Sequence, residues 1–447
     1  MKTWISAFLI FSCLNLFGPC SKAQPKVWTI DDCIQYALDK NIQVQKAQIS
    51  NKINEENLKY AKTAWYPSLS GFARQNFDWI NQLNTTSGST VFAGTNGTNI
   101  SVNSAISVYN GFKLQNSVKK SETDYEAGRY NTEVIKENVS LNVLDAYLQV
   151  LYAEEQVKNN NNQVASTVEQ LNLADERMKI GVISNSDYLQ VKSQLATEKL
   201  TLATSESQYA INQVTLMQLM ELPESNDFQI DHPNLDSIIN QRRNPDPKEV
   251  YKISLEIKPE VKNAELNKKS SQLDVELAKA DYFPRLSMDA GTSTLYSNAH
   301  KGSSLGNQFK NNVSPTIGLS ASVPIFLNRQ VKTKVNIARM NTNNAELDEL
   351  NIKNQLRKAI EQACLDVTSS QIEYEASAQQ YQAVKESFEV ASEKYSQGIM
   401  NSVDYLIQKT NFISAESKFL QSKYKLIFSY KVLDFYTGQP LSFKNTI

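Results

Sequence analysis

The sequence predicts a mainly α-helical protein in which two tandem copies of one plan each carry a pair of β-strands. Three observations lead to this fold class. Gly (14 residues) and Pro (12 residues) are scarce in the 447-residue chain, at about half their usual frequency, which favours long helices over loop-rich domains. One shift of 217 positions brings separated segments into register. Four short segments alternate between apolar and polar residues, a pattern typical of half-buried strands.

The internal duplication rests on segments that a single ungapped shift superimposes. Residues 61–70 (AKTAWYPSLS) align with residues 278–287 (AKADYFPRLS), a shift of 217, and residues 176–189 (ERMKIGVISNSDYL) align with residues 393–406 (EKYSQGIMNSVDYL) at the same shift. One register that serves distant parts of the copies indicates a true repeat. We therefore expect a first repeat over 24–222, a proline-containing connector over 223–250 and a second repeat over 251–447.

Each repeat is predicted to begin with a helix, continue as a β-hairpin and end as a long helical hairpin. In the first repeat Thr29 precedes two aspartates, as a helix N-cap does, and this helix is expected to run to about Ala64. The β-hairpins are expected over 66–110 and 284–326, each with a polar, turn-rich loop between its strands.

Long helices are expected after each β-hairpin, because no proline lies between Pro67 and Pro223 and proline is the strongest breaker of a helix. Apolar stripes at coiled-coil spacing indicate that these helices pack against neighbours in a coiled-coil-like assembly. The stripes are Leu141, Leu144, Leu148 and Leu151 in the first repeat, and Leu406, Ile413, Leu420 and Ile427 in the second.

The first 23 residues are predicted to be a cleaved secretory signal peptide. Lys2 precedes an apolar core over 4–17, and small residues follow it. A lipidated Cys20 is the alternative, although Pro19 stands where lipid attachment requires a small residue. After this segment no run of 18 apolar residues predicts a transmembrane helix.

The strands predict contact with lipid. Each is about ten residues long, near the length that crosses a bilayer at a tilt, and aromatic residues such as Trp65, Tyr66 and Phe326 flank them. Four strands cannot close a barrel, and an open edge in lipid leaves backbone amides unpaired at a cost of several kcal/mol each. We therefore expect an oligomer with eight strands from two chains or twelve from three, and a lumen favours three. Half of a soluble β-sandwich is the competing interpretation.

The doubled order of helix, "YP" junction, hairpin, long helix and "G-x-x-S/N-x-x-D-x-L" turn over 24–447 resembles the TolC-type outer-membrane efflux protein family. The resemblance implies a homotrimer with a twelve-stranded barrel in outer-membrane lipid and an α-helical tunnel through the periplasm. It implies an exit duct of a tripartite efflux or type I secretion system, docked to a periplasmic adaptor protein and an inner-membrane pump of the RND or ABC type. The cargo stays open among drugs, metals and polypeptides, since a passive conduit selects little.

The resemblance also places the two turns, residues 177–189 and 394–406, at the periplasmic tip that forms the channel entrance. A purely local interpretation is that the turn glycines serve as helix C-caps, which their freedom at positive φ suits, and both roles are compatible. Adaptor contacts are expected from eight residues of the turns: Arg177, Gly181, Val182, Ser184, Lys394, Gly398, Ile399 and Asn401.

Three residues are candidates for the gate by the same resemblance. Asp187 and Tyr395 are expected to form a hydrogen bond that holds the tip closed. Asp404 is expected to form a ring of three carboxylates that repel one another and attract cations, with a solvated surface carboxylate as the alternative. The sequence departs from the family pattern at Met400 and Ile407, where an arginine and a second ring aspartate are expected.

Other classes of function find little support. A net charge of -1 with interspersed acids and bases leaves no basic surface for nucleic acid. His232 and His300 are the chain's only histidines and no catalytic motif accompanies them, so we expect no enzyme, metal or cofactor. Cys33 and Cys364 are too few for a disulfide framework and are expected to be isolated buried thiols. The main alternative is a periplasmic coiled-coil scaffold or adaptor without membrane insertion.

Overall fold

The computed structural model describes residues 26–83, 88, 90–223, 228–298 and 303–443. The predicted signal peptide over 1–23, Cys20 and His300 lie outside these residues. The chain divides into two units, which we call the helical unit and the sheet unit. The helical unit comprises the chain up to Gln45, Lys136–Ser254 and the chain from Ala359; the sheet unit comprises Lys46–Ile135 and Leu255–Lys358.

The described residues contain six β-strands. Two of them, β1 and β4, form a short parallel pair in the helical unit. The other four form one antiparallel sheet in the sheet unit, in the order β2-β3-β5-β6. The strands are β1 (Val27–Trp28), β2 (Ser68–Leu83), β3 (Thr90–Tyr109), β4 (Gln229–Ile230), β5 (Arg285–Ser297) and β6 (Ser314–Ser322).

Ten α-helices and one 3-10 turn (Ala280–Tyr282) complete the described chain. The helices are α1 (Ile30–Lys40), α2 (Ile42–Thr63), α3 (Lys113–Lys179), α4 (Asn185–Leu219), α5 (Asp236–Ile239), α6 (Pro247–Ile257), α7 (Pro259–Lys279), α8 (Leu305–Asn311), α9 (Gln330–Ser396) and α10 (Ser402–Tyr436). A shift of 217 positions superimposes both ends of α3 on those of α9, and both ends of α4 on those of α10. The predicted internal duplication is therefore confirmed in the boundaries of the long helices.

The register of the four-stranded sheet places apolar side chains on one face. Ile106, Met288 and Leu319 are direct partners across β3, β5 and β6. Leu69 of β2 lies on the same face, because alternate residues along a strand share a face, and it is 77% exposed. Within the described chain the edge strands β2 and β6 each pair on one side only. The sheet thus presents an uncovered apolar face and two open edges.

The β-hairpins differ from expectation in two ways. Strands β2, β3 and β5 contain 16, 20 and 13 residues, longer than the expected ten. Strands β2 and β3 are longer because polar residues assigned to the first loop continue the ladder until Leu83 pairs with Thr90. The second loop contains the helix α8, which the sequence pattern did not predict. Ser304 caps it by accepting a hydrogen bond from the amide of Asn307, and such a cap stabilises a short helix.

The helical unit begins as predicted at Thr29, whose hydroxyl accepts a hydrogen bond from the Asp32 amide in a reciprocal capping box. The helix expected to continue to Ala64 is divided at Asn41 into α1 and α2. The Asn41 side-chain amide donates to the carbonyl of Leu219 over 2.9 Å, so a polar contact marks the break. None of the described helices has the length and apolar character needed to cross a membrane.

The core of the helical unit lies along the predicted apolar stripes. Leu144, Leu148 and Leu151 are buried, as are Leu420 and Ile427, whereas the other members of the two stripes are partly exposed. The described cysteines, Cys33 and Cys364, are buried and form no disulfide, as expected. Burial raises the pKa of the Cys33 thiol to about 12, which makes it unreactive at neutral pH.

Candidate functional site

The long helices form two hairpins that end in turns of the same geometry. We call α3–α4 the first hairpin and α9–α10 the second hairpin. Gly181 and Gly398 adopt φ angles of +78° and +76°, in the left-handed region that strains a side chain. The amide after each glycine reaches back five residues, from Val182 to the Arg177 carbonyl and from Ile399 to the Lys394 carbonyl, both over 2.9 Å. This is the Schellman pattern, so the interpretation of both glycines as C-caps is confirmed.

Side chains of the turn motif begin the helices α4 and α10. The Asp187 amide donates to Ser184 Oγ (3.1 Å), and the Asp187 carboxylate accepts from the Ser184 amide (3.2 Å) and hydroxyl (2.7 Å), which is a capping box. Asn401 accepts from the Asp404 amide and donates to the Asp404 carboxylate, both over 2.8 Å. Asp404 is exposed. Ser184 and Asn401 are therefore the N-caps of α4 and α10, and each aspartate carboxylate accepts a hydrogen bond from its cap residue.

Asp187 also joins the first hairpin to the second hairpin. Ser402, in the first turn of α10, donates its hydroxyl to Asp187 Oδ1 over 2.5 Å and lies 3.0 Å from Gln190 Oε1. Hydrogen bonds from Ser402 and Ser184 stabilise the carboxylate and hold the pKa of Asp187 below its ordinary value of 3.8. Ser402 is not among the residues predicted from the sequence, since a single small polar residue at a helix start is not distinctive on its own.

Arg177 makes the second connection between the turns. Its guanidinium donates to the backbone carbonyls of Tyr395 (3.0 Å) and Ser396, where the helix dipole of α9 favours a cation. The Tyr395 side chain is buried and stacks on Tyr405 with ring centroids 4.5 Å apart; burial raises the pKa of its hydroxyl. The described contacts of Asp187 and Tyr395 do not include the expected hydrogen bond between them. The Asp187 carboxylate accepts from serine hydroxyls, and the Tyr395 ring packs on Tyr405.

The other candidates for adaptor contact lie on the surface of the turns. Val182 is 64% exposed and Ile399 is 71% exposed. A Cβ atom added at Gly181 or Gly398 would meet nothing within 4 Å, so there is open space around both glycines. Ser184, Lys394 and Asn401 are also exposed. The turns thus present apolar groups to their surroundings.

Seven stacked aromatic rings hold the two helices of the second hairpin together, and we call them the aromatic ladder. Each of the helices α9 and α10 contributes a ring at every seventh position, and the rings of the two helices alternate along the ladder. Successive ring centroids lie 4.5 to 5.9 Å apart, within the range of favourable aromatic pairs. The members are Tyr374, Tyr381, Phe388 and Tyr395 of α9, and Tyr405, Phe412 and Phe419 of α10.

The first hairpin has no equivalent ladder. At the aligned positions it carries aliphatic residues and one tyrosine: Val157, Val164, Leu171, Met178, Tyr188, Leu195 and Leu202. The duplication has therefore produced two hairpins of the same length with different internal packing.

A row of polar contacts joins the two hairpins along their length, and we call it the polar seam. On α10 its members recur every seven residues, at Ser402, Lys409, Glu416 and Lys423. Their partners on the first hairpin are Asp187 for Ser402, Glu198 and Thr167 for Lys409, Gln163 for Glu416 and Glu155 for Lys423. The heptad spacing of these polar residues is visible in the sequence, but apolar periodicity alone does not reveal it.

Within the described residues, no group of three or more His, Cys, Asp or Glu side chains is placed to hold a metal ion. The chemistry available at the turns and the seam is hydrogen bonding and ion pairing between hairpins. Such contacts can hold a passage closed and can be broken without covalent change.

Comparisons with known proteins agree with this architecture. The family model described as outer membrane efflux protein matches residues 33–221 and 250–439. The chain is 19% identical over 436 residues to the outer membrane efflux protein BepC of Brucella suis biovar 1 (strain 1330), covering 97% of this chain and 90% of that protein.

Solved structures with the same fold include outer-membrane channels. The CmeC channel of Campylobacter jejuni has a TM-score of 0.77 at 19% identity, covering 92% of this chain and 85% of that one. The open state of the MtrE channel of Neisseria gonorrhoeae has a TM-score of 0.76 at 18% identity, covering 94% and 91%. A structure of CusC has a TM-score of 0.80 at 16% identity, covering 94% and 96%.

The two matched stretches include both β-hairpins and both long helical hairpins, and together they cover most of the chain. They confirm the predicted resemblance and leave no support for an enzyme or a scaffold without membrane insertion. The chain belongs to the outer membrane efflux protein family, and it is an exit duct of the outer membrane that extends into the periplasm and works with adaptors and pumps.

Proposed function

We propose that three copies of this chain form the duct, with a twelve-stranded barrel and a tip closed by contacts between the first and second hairpins. The observation that carries the proposal is that the four-stranded sheet has two open edges, at β2 and β6, and an exposed apolar face. In lipid every unpaired backbone amide costs several kcal/mol, so β2 of one copy must pair with β6 of the next. Eight strands would be filled by their own side chains, whereas twelve leave a lumen.

The trimer is tested by the mass of the detergent-solubilised protein, measured by native mass spectrometry. The expected mass corresponds to three chains, and the unheated sample should run as one folded species that dissociates on boiling. A mass of two chains would contradict the argument from the width of the lumen. A protein that stays soluble without detergent would contradict membrane insertion of the sheet.

The proposed gate consists of the hydrogen bonds that join the turns. Asp187 is held by Ser402, and Arg177 is held by the carbonyls at the end of α9. Opening the entrance requires the second hairpin to leave the first, so these bonds must break. Tyr395 contributes through its buried ring and its carbonyl, and Asp404 is proposed to line the entrance as a ring of three exposed carboxylates.

The gate is tested with Ser402→Ala, which removes the hydroxyl that reaches Asp187. The single-channel conductance in a planar bilayer should rise, because one of the bonds that close the tip is lost. Ser396→Ala is the matched control, since the Ser396 hydroxyl donates within its own helix, to the carbonyl of Glu393. Equal conductance of the wild type and Ser402→Ala would contradict the proposal.

The adaptor is proposed to dock on the exposed surface of the turns, where Val182 and Ile399 offer apolar side chains next to glycines without steric obstruction. The pump that loads the duct is proposed to be of the RND or ABC type, and the cargo is chosen there. Val182→Asp with Ile399→Asp should reduce export in cells and leave the trimer and its conductance unchanged. The exposed residue Lys192 supplies the control Lys192→Asp on α4, which should have no effect on export. Normal export in the double variant would exclude this docking surface.

A further inference from the structure

The most deeply buried contact of the polar seam is an ion pair that no tip residue touches. Lys409 Nζ lies 2.8 Å from Glu198 Oε1, and the two side chains are only 3% and 6% exposed. The hydroxyl of Thr167 donates to the other oxygen of Glu198 and accepts from Lys409. Gln194 donates to Glu198 Oε1 over 2.9 Å. Lys409 belongs to the second hairpin, whereas its partners belong to the first hairpin.

The ion pair of Lys409 is more deeply buried than the other ion pair of the polar seam. The ion pair between Lys423 and Glu155, further along the seam, is 21% and 39% exposed. Burial lowers the pKa of Lys409, and its contact with Glu198 opposes this effect. A buried charge is tolerated only while it keeps its partner. The polar seam at Lys409 therefore favours two states. In the closed state the ion pair is intact, and in the open state both charges are hydrated; a partly separated pair, with its charges still buried, is unfavourable.

The aromatic ladder decides which helices can separate. Its rings at Tyr405 and Phe412, on either side of Lys409 along α10, stack on rings of α9. Apolar stacking holds α9 to α10 near Lys409. The contacts that Ser402, Lys409 and Glu416 of α10 make with the first hairpin are polar, and water can replace them. The second hairpin is thus expected to leave the first as one body, along the seam that Lys409 bridges.

The duplication did not by itself create the pair. The residue aligned with Lys409 is Lys192, which is exposed, and the residue aligned with Glu198 is Ala415, which is buried. An ion pair of this kind can therefore form between Lys409 and Glu198, but not between Lys192 and Ala415, the residues aligned with them in the other repeat. This asymmetry indicates a specific role for Lys409 and not a general feature of the helical packing.

We propose that the Lys409, Glu198 and Thr167 cluster is a second latch of the gate, separate from the turns, that keeps the second hairpin seated on the first. Lys409 follows Ser402 by seven residues, which places it about 10 Å along the helix from the tip. The inference rests on the proposed gate, because it takes separation of the hairpins as the opening movement. Lys409 and Glu198 act as positioning residues that hold the hairpins together.

The latch is tested with Lys409→Glu in the full-length protein, reconstituted in planar bilayers. Two carboxylates would then face each other in a buried site and repel. The fraction of time that the channel spends in the high-conductance state should therefore rise about tenfold or more. The charge swap Lys409→Glu with Glu198→Lys should return it towards the wild-type value. Lys418→Glu is the matched control, since it makes the same charge change on an exposed position of α10.

A variant that fails to assemble is recognised by loss of the folded species on an unheated gel. If Lys409→Glu fails in this way, two other variants take its place: the single variant Lys409→Met and the double variant Lys409→Met/Glu198→Met. Lys409→Met alone leaves Glu198 buried without its cation and should open the channel, whereas the double variant should close it again. Wild-type conductance of an assembled Lys409→Glu or Lys409→Met channel overturns the latch, as does a failure of the swap to restore closure. If Ser402→Ala opens the channel and Lys409 variants do not, only the latch is wrong. If neither opens it, the proposed gate is wrong as well.

Discussion

Replacing Phe388 with leucine should loosen the second hairpin near its turn. Phe388 stacks on Phe412 with centroids 5.0 Å apart and planes at 10°, and it packs on Tyr405 at 5.8 Å and 36°. Leucine keeps most of the apolar bulk and removes both ring contacts. Leu171 occupies the aligned position of the first hairpin, so the change converts one rung of the aromatic ladder to the packing of the other repeat.

The expected loss follows from the two ring contacts. Each aromatic pair contributes about 0.5–1.5 kcal/mol beyond the area it buries, so two pairs give a loss of about 1–3 kcal/mol in the free energy of local opening. A change of this size corresponds to roughly 5- to 150-fold faster amide exchange where exchange reports local opening.

Hydrogen exchange followed by mass spectrometry measures this quantity for peptides of α9 and α10 around Phe388 and Phe412. The acceleration should be confined to these peptides, and the peptides of α3 and α4 should exchange as in the wild type. Phe388→Tyr is the control, because it keeps the ring and other rungs of the ladder are already tyrosines. Unchanged exchange in Phe388→Leu, or equal acceleration in both hairpins, would refute the idea that ring stacking holds the second hairpin together.

Three further predictions follow from the turns and the sheet unit. Gly398→Ala should destabilise its turn by about 1–2 kcal/mol, because a side chain is strained at the φ of +76°. The added Cβ meets nothing within 4 Å, so this backbone strain is the expected cost. Gly398→Asn should cost less, and hydrogen exchange of the turn amides measures both variants. The stabilisation of the closed tip by the Asp187 carboxylate is complete above its ordinary pKa of 3.8 and is lost as the pH falls through its lowered pKa. Channel conductance should therefore rise below about pH 4, and it should rise less in Ser402→Ala. Asp281→Asn removes the anion shared by Lys113, Arg285 and Lys334 and should destabilise the folded protein by about 1–3 kcal/mol; the temperature at which the folded species is lost on a gel should fall, and an unchanged temperature would exclude a stabilising role for this cluster.

Much of the fold was accessible from the sequence because it depends on neighbours along the chain. The cap at Thr29, the glycine turns at Gly181 and Gly398, and the alternation of the strands all follow from local hydrogen bonding and from helical or strand periodicity. The same locality explains the errors. Helix α8 is a short helix within a polar segment, and the polar ends of β2 and β3 are strand only because each supplies the other with a hydrogen-bonded partner.

The sequence by itself determined that this protein has long helices, four strands with one apolar face and two copies of one plan, since each of these properties is written in spacing and composition. The tertiary structure decided which side chains meet. Asp187 is paired with Ser402 and not with Tyr395, and Lys409 meets Thr167, which is 242 residues away in the chain. Such contacts depend on how the helices are rotated and shifted against one another, and a difference of one residue in that register would bring other side chains together.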